Sequence, residues 1–114
     1  MPRAAPLYIA NMKLGAVAMT KHEIMTFLKD HKQEMQEKFG ATRIGLAGSY
    51  ARGDATEESD IDIIVELHSQ NRFRSFFYLQ YFLQDALGKR IDLATESSLK
   101  PIVRQAVFKD ILYV

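Results

Sequence analysis

The sequence predicts a small α+β domain. Apolar residues recur at helical spacing before Gly40 and again before Gly88. Three short segments rich in Ile, Val, Leu and Ala read as strands, and polar, glycine-containing turns separate them. The chain has 114 residues, enough for one modest core and too few for two.

Each element has its own signal. Thr20-Lys21-His22-Glu23 is a capping box, in which the Thr hydroxyl and the Glu carboxylate each satisfy an orphan backbone N–H. Ile24, Phe27, Leu28, His31, Met35 and Phe39 then follow at helical spacing, which predicts a helix over about 21–39 with Gly40 as its stop. Arg43 to Ala47 reads as a strand ending at the turn Gly48-Ser49. Asp54 to Ser59 is a polar loop, and Asp60 to Leu67 is a strand buried on at least one face. A second helix runs from about Asn71 to Leu87 and closes at Gly88. Its aromatics cover nearly the whole circumference, more than one core stripe requires. Phe73, Phe76 and Leu83 are assigned to the core, whereas Tyr78, Tyr81 and Phe82 suit either core or a partner surface. Arg90 to Ala94 is a third strand. Ser97 or Ser98 is placed to cap a last helical turn, with Pro101 at its first position.

Residues 20–114 are read as one domain and residues 1–19 as a loose N-terminal extension. Arg3 and the weakly apolar run to Ala16-Val17-Ala18 faintly resemble a signal peptide, but Pro6, Asn11 and Lys13 interrupt it, and Met19 is an alternative start. No apolar run approaches the ~20 residues of a membrane span. The absence of cysteine removes disulfides, thiolate zinc sites and a Cys nucleophile, and it is compatible with a cytoplasmic location. A net charge of +1 gives no general electrostatic footprint for nucleic acid, so direct nucleic-acid binding is not expected.

The chemistry is concentrated in two stretches. Gly48-Ser49-Tyr50-Ala51-Arg52-Gly53 is a small-residue turn, and Ser59-Asp60-Ile61-Asp62 follows it closely. Side chains two apart on a strand project to the same face, which predicts that Asp60 and Asp62 stand together. Such carboxylates repel unless a cation lies between them, and a hard divalent ion, Mg2+ above all, suits oxygen ligands. Asp92, on a strand with apolar neighbours, reaches the same centre if that strand pairs beside Asp60–Leu67. There it can serve as ligand and as the base for an attacking hydroxyl. Gly48 allows close approach of a phosphate, Ser49 offers a hydroxyl donor at the start of a short helix, and Arg52 can pair with nucleotide phosphates. Ser59 braces the start of the Asp-bearing strand. Asp54, Glu57 and Glu58 are read as surface charge. His22, His31 and His68 lack ligand spacing and are read as structural or exposed. Ser49 has no matching His and Asp, which argues against a hydrolase triad.

These motifs resemble the DNA polymerase beta-like nucleotidyltransferase superfamily and, within it, the minimal nucleotidyltransferase (MNT) antitoxins that pair with HEPN toxins. The resemblance covers roughly residues 20–114. It implies a mixed β-sheet flanked by helices, ATP as donor and Mg2+, as two ions, as cofactor. It further implies transfer of AMP to a tyrosine hydroxyl of a cognate HEPN ribonuclease toxin. By the same resemblance, Gly48 and Ser49 hold the triphosphate, and Asp60, Asp62 and Asp92 form the metal-binding, catalytic triad; the residues themselves add Arg52 and Ser59 as nucleotide-binding candidates. The rival readings are a non-catalytic antitoxin that neutralises its toxin by direct binding, and a transferase acting on a small molecule or an RNA end. Three placed carboxylates argue against the first. The lack of a second domain and the near-neutral charge argue against the second.

Overall fold

Two adjacent antiparallel strands carry the centre of the fold. β1 (Ala41–Ala47) pairs with β2 (Ile61–Leu67), placing Leu46 opposite Ile63 and Ala47 opposite Asp62. β3 (Ile91–Thr95) runs parallel to β2, and a short β4 (Leu112–Tyr113) runs antiparallel to β1. The order is β3-β2-β1-β4, the mixed sheet that the resemblance implies. The computed structural model describes residues 19–114, so the extension read over 1–19 lies outside the described residues except for Met19, which is buried in the core.

The first helical stretch is two helices, α1 (Lys21–Asp30) and α2 (Lys32–Phe39), not one. The capping box forms as predicted: Glu23 N–H donates to Thr20 Oγ1 at 3.0 Å and Thr20 N–H to Glu23 Oε1 at 2.9 Å. The break falls at His31, whose ring Nδ1 lies 2.9 Å from the Phe27 carbonyl that its backbone N–H also contacts. A side chain that turns back on the i−4 carbonyl competes with the helical ladder and bends it. The His31 ring stacks on Phe27 at 4.1 Å between centroids, so the histidine is structural. Gly40 ends α2 in the left-handed region, and its carbonyl accepts from His68 N–H at 2.8 Å, tying the start of β1 to the end of β2.

α3 (Gly48–Arg52) follows β1 directly. α4 (Arg72–Leu87), capped by Asn71 Oδ1 and closed by Gly88, provides the crossover that the parallel β2–β3 pair requires. After β3 come a 3-10 turn (Glu96–Ser98) and α5 (Pro101–Asp110). The predicted serine cap is not used. Ser97 and Ser98 belong to the 3-10 turn, and α5 starts at Pro101 after an extended Lys100 with no side-chain cap. Proline alone presets the first turn there.

The core lies on one side of the sheet. Ile44, Leu46, Ile61, Ile63 and Val65 meet Ile24, Phe27 and Leu28 of α1, Met35 of α2, and Leu79, Leu83 and Leu87 of α4. Each of these large side chains contributes roughly 1.5–3 kcal/mol by leaving water. Phe82 is partly buried against them, within reach of Phe27, His31 and Phe39. Phe76 is also partly buried, but Phe73 is 76% exposed, against its assignment to the core. Phe73 sits in the first turn of α4, where the helix has not yet reached the sheet, and its ring packs instead on Phe77 at 4.8 Å. Tyr78 and Tyr81 are exposed as well.

Candidate active site

The β2–β3 register assembles the acidic residues. Ile61 lies beside Ile91 and Asp62 beside Asp92, so the two carboxylates stand on neighbouring strands of the same face and contact each other. This is the pairing that the sequence requires for Asp92 to join the site. Asp60 precedes β2 by one residue, next to Arg90, and its Oδ2 lies 3.4 Å from Arg90 Nη2. The three carboxylates are therefore not equivalent. Asp62 and Asp92 form a direct pair, while Asp60 turns to an arginine and acts on Asp62 through its charge. Among the described residues, no group of three His, Cys, Asp or Glu side chains is arranged to enclose a metal ion.

The pair carries an electrostatic cost. Partial burial first, then the charge and hydrogen bond of Asp92, then the charge of Asp60, push the Asp62 carboxyl up to about 6, and Arg52 acts in the opposite direction. Two carboxylates are thus held together, with Arg52 as the charge that opposes their repulsion.

Gly48 is the tightest point of the site. Its φ is +66°, and a Cβ built there would overlap the Asp62 carboxylate. The glycine is needed twice over, for its backbone conformation and to leave room for Asp62. Ser49 is the second residue of the five-residue α3, and its carbonyl accepts from Gly53 and Asp54 N–H at 2.9 and 3.0 Å, which folds the loop back on itself. Arg52 is exposed and pairs with Asp54 at 3.3 Å. Ser59 Oγ accepts from Thr56 N–H at 2.9 Å, so its hydroxyl braces the loop that delivers Asp60 and Asp62.

A cavity of about 290 Å³ opens beside the carboxylate pair, between this face of the sheet and α5. Gly48, Asp62 and Asp92 mark one end. Ile64, Ala94, Leu99, Val103 and Val107 provide apolar walls. Sequence reasoning did not place that wall at the site: Val103 and Val107, four apart, share one side of α5, whereas Leu99 stands in the extended segment before it. It also overlooked Arg90, two residues before Asp92 and hence on the same face. Further along this face, the buried Glu96 receives Tyr113 Oη–H at 3.0 Å and lies 3.3 Å from Arg43 Nε, which fixes β4 and the 3-10 turn to β1.

A mixed four-stranded sheet with a glycine-led helix after β1 and paired carboxylates on β2 and β3 defines a nucleotidyltransferase domain. Residues 28–114 match the family model described as nucleotidyltransferase domain, and the chain belongs to that family. It is 41% identical, over 84% of its length and 97% of the relative's, to protein adenylyltransferase MntA of Thermococcus cleftensis. A solved structure described as a minimal nucleotidyltransferase superposes with a TM-score of 0.71 at 28% identity, covering 82% of this chain and 95% of that one. A chain of a toxin–antitoxin crystal structure with AMP-PNP superposes with a TM-score of 0.59 at 25% identity, covering 83% and 72%. No helix among the described residues is long and apolar enough to cross a membrane.

Proposed function

We propose that this protein is the antitoxin of a toxin–antitoxin pair, and that it silences a HEPN ribonuclease toxin in the cytoplasm by transferring AMP from ATP to a tyrosine hydroxyl. The observation that carries this reading is the Asp62–Asp92 pair set against Gly48 in a chain of the nucleotidyltransferase family. The likeness to a relative named protein adenylyltransferase, and to a toxin–antitoxin structure holding AMP-PNP, supports a protein acceptor and an adenine nucleotide donor.

The donor set fits Mg2+. Two carboxylates in contact, one with its pKa raised by burial and like charge despite the opposing charge of Arg52, offer hard oxygen ligands. Asp62 and Asp92 would hold the ions, with Asp60 as the third ligand once its carboxylate leaves Arg90. Magnesium bound there supplies neutralisation of the carboxylates and of charge on the triphosphate. Gly48 gives the phosphates room to approach the backbone, and Ser49 Oγ donates to them. Arg52, exposed beside them, adds a cationic contact, and Ser59 keeps the Asp60–Asp62 segment in register.

In the transfer the tyrosine oxygen attacks the α-phosphorus of ATP. The new O–P bond forms as the bond to the bridging oxygen breaks, and pyrophosphate leaves. The phenolic proton passes to the Asp92 carboxylate, which is exposed and within the same cluster. Positioning of donor and acceptor accounts for much of the acceleration.

The test is the intact mass of the protein encoded beside this gene, after incubation with this chain, ATP and Mg2+. A gain of one or more AMP units that disappears with the Asp60→Asn/Asp62→Asn double variant is the expected result. An unchanged mass with a stable complex would replace this reading with neutralisation by direct binding.

A further inference from the structure

We infer that the aliphatic cavity beside the carboxylate pair receives the ring of the acceptor tyrosine, and that Leu99, Val103 and Val107 select an aromatic acceptor. This deepens the proposed function and rests on it. The cavity has a strongly uneven chemistry. Its polar groups, Asp62 and Asp92, stand at one end with Gly48, and every other side chain that lines it is aliphatic. On β2 and β3 the step from Asp62 to Ile64, and from Asp92 to Ala94, is two residues, or about 6–7 Å. That is close to the length of a phenol ring with its hydroxyl.

A tyrosyl side chain has the same distribution: an apolar body and one polar tip. Seated in the cavity, its ring lies against Ile64, Ala94 and the α5 wall, and its hydroxyl reaches the carboxylates. An adenine base fits less well. Its edge carries ring acceptors and an amino donor, and no polar side chain of the aliphatic walls can pair with them. Burying such groups unpaired costs roughly 1–3 kcal/mol each. A serine or threonine hydroxyl would reach the carboxylates only by leaving the aliphatic part unfilled.

The wall is also accessible from outside. Every residue of α5 is at least partly exposed, with Val103 44% and Ile102 78% exposed. A side chain from another protein can therefore enter past Val103. The occupant is a tyrosine presented by a protein partner, whose surface completes the open side.

Methyl NMR of the full chain tests this with p-cresol as the acceptor probe, adenosine as the competing probe, and AMP-PNP with Mg2+ as the donor probe. We expect p-cresol to shift the Leu99, Val103 and Val107 methyls saturably, alone and with AMP-PNP present, while Leu79 and Leu83 on the far face stay unmoved. Val103→Asp should weaken p-cresol binding at least about tenfold, with the Leu79 and Leu83 methyls reporting an intact core. Methyls that ignore p-cresol overturn the inference. Methyls that respond to adenosine, or from which AMP-PNP displaces p-cresol, also overturn it and give the cavity to the nucleoside. The Gly48 amide reads the donor side separately: if AMP-PNP with Mg2+ leaves it unmoved, the proposed function falls, whereas movement there with unresponsive methyls refutes only the acceptor pocket.

Discussion

Alternate residues of β2 enter two different environments. Ile61, Ile63 and Val65 are fully enclosed between the sheet and three helices. Asp62, Ile64 and Glu66 face the other way, toward a cavity and a helix with no buried residue. On the first face every large side chain has apolar neighbours. On the second, two carboxylates touch, and Glu66 Oε1 is buried with no hydrogen-bond partner among the described residues. Stability of the isolated chain therefore comes from one face, and the other is held in an arrangement that folding alone would not favour. Strained electrostatics of this kind are common where a protein binds charged ligands.

The contrast is tested most severely by truncating the enclosed face. Ile63→Ala should lower stability by about 3 kcal/mol, through lost burial and the cavity left behind. Urea unfolding should show the loss as a lower midpoint with an unchanged slope. A loss below about 1 kcal/mol would mean that the core face is less tightly packed than its burial indicates.

Gly48→Ala comes next, and it sharpens the comparison because Gly48 is a site residue with a folding role. A positive φ and overlap with Asp62 act together. The expected cost is about 2 kcal/mol, with AMP transfer reduced about a hundredfold or more as Asp62 is displaced. Denaturant unfolding and single-turnover transfer measure the two effects separately. Full activity in this variant would show that the close approach of Gly48 to Asp62 is dispensable.

The residues that were legible in the sequence are those whose signal is local. The capping box at Thr20–Glu23, the stops at Gly40 and Gly88, and the turn at Gly48 are each set by neighbours a few residues away. The Asp62–Asp92 pairing was legible only as a condition, because it depends on which strand lies beside β2. The break at His31 turns on a side-chain choice that periodicity does not encode. Asp60 pairs with Arg90 through a register that no spacing within one segment reveals. β4 was missed because two residues carry no period, and it is held by Glu96 and Arg43 from distant parts of the chain. The wall of the cavity went unassigned for a related reason: Val103 and Val107 look like an ordinary helix face, and Leu99 like part of a connecting segment, until the fold sets them beside the carboxylates.

Asp62→Asn should act in the opposite sense to the core variant. In the folded state the Asp62 carboxyl titrates at about 6, against 3.8 ordinarily. Between those values the folded state binds the extra proton, so stability falls as pH rises through this window and is level on either side. Asparagine removes the charge and with it this pH dependence. With magnesium chelated at pH 8, the variant should be more stable than the parent by about 1 kcal/mol, since water screens much of the interaction in a partly exposed pair. Thermal unfolding at pH 4, 6 and 8 reads both the gain and the flattened profile. A destabilised variant would show that Asp62 has a structural partner outweighing its repulsion from Asp92.

The smallest effect belongs to a surface on neither face of the sheet. Tyr81 is 71% exposed and Phe73 76% exposed on α4, and both point away from the helix face that carries Leu79 and Leu83 into the core. Tyr81→Ser removes a large ring that contributes little to the isolated fold, so unfolding should change by no more than about 0.5 kcal/mol. The same side chain projecting into the core would cost several times that. Thermal unfolding of the chain alone therefore separates the two possibilities. A near-zero change, beside the large loss at Ile63, would confine the folding energy to the enclosed side of the sheet. It would also leave the exposed rim of α4 open to substitution without penalty to the fold. A loss above about 2 kcal/mol would instead show that the aromatic face of α4 is packed in solution, and the division drawn along β2 would no longer account for where the stability lies.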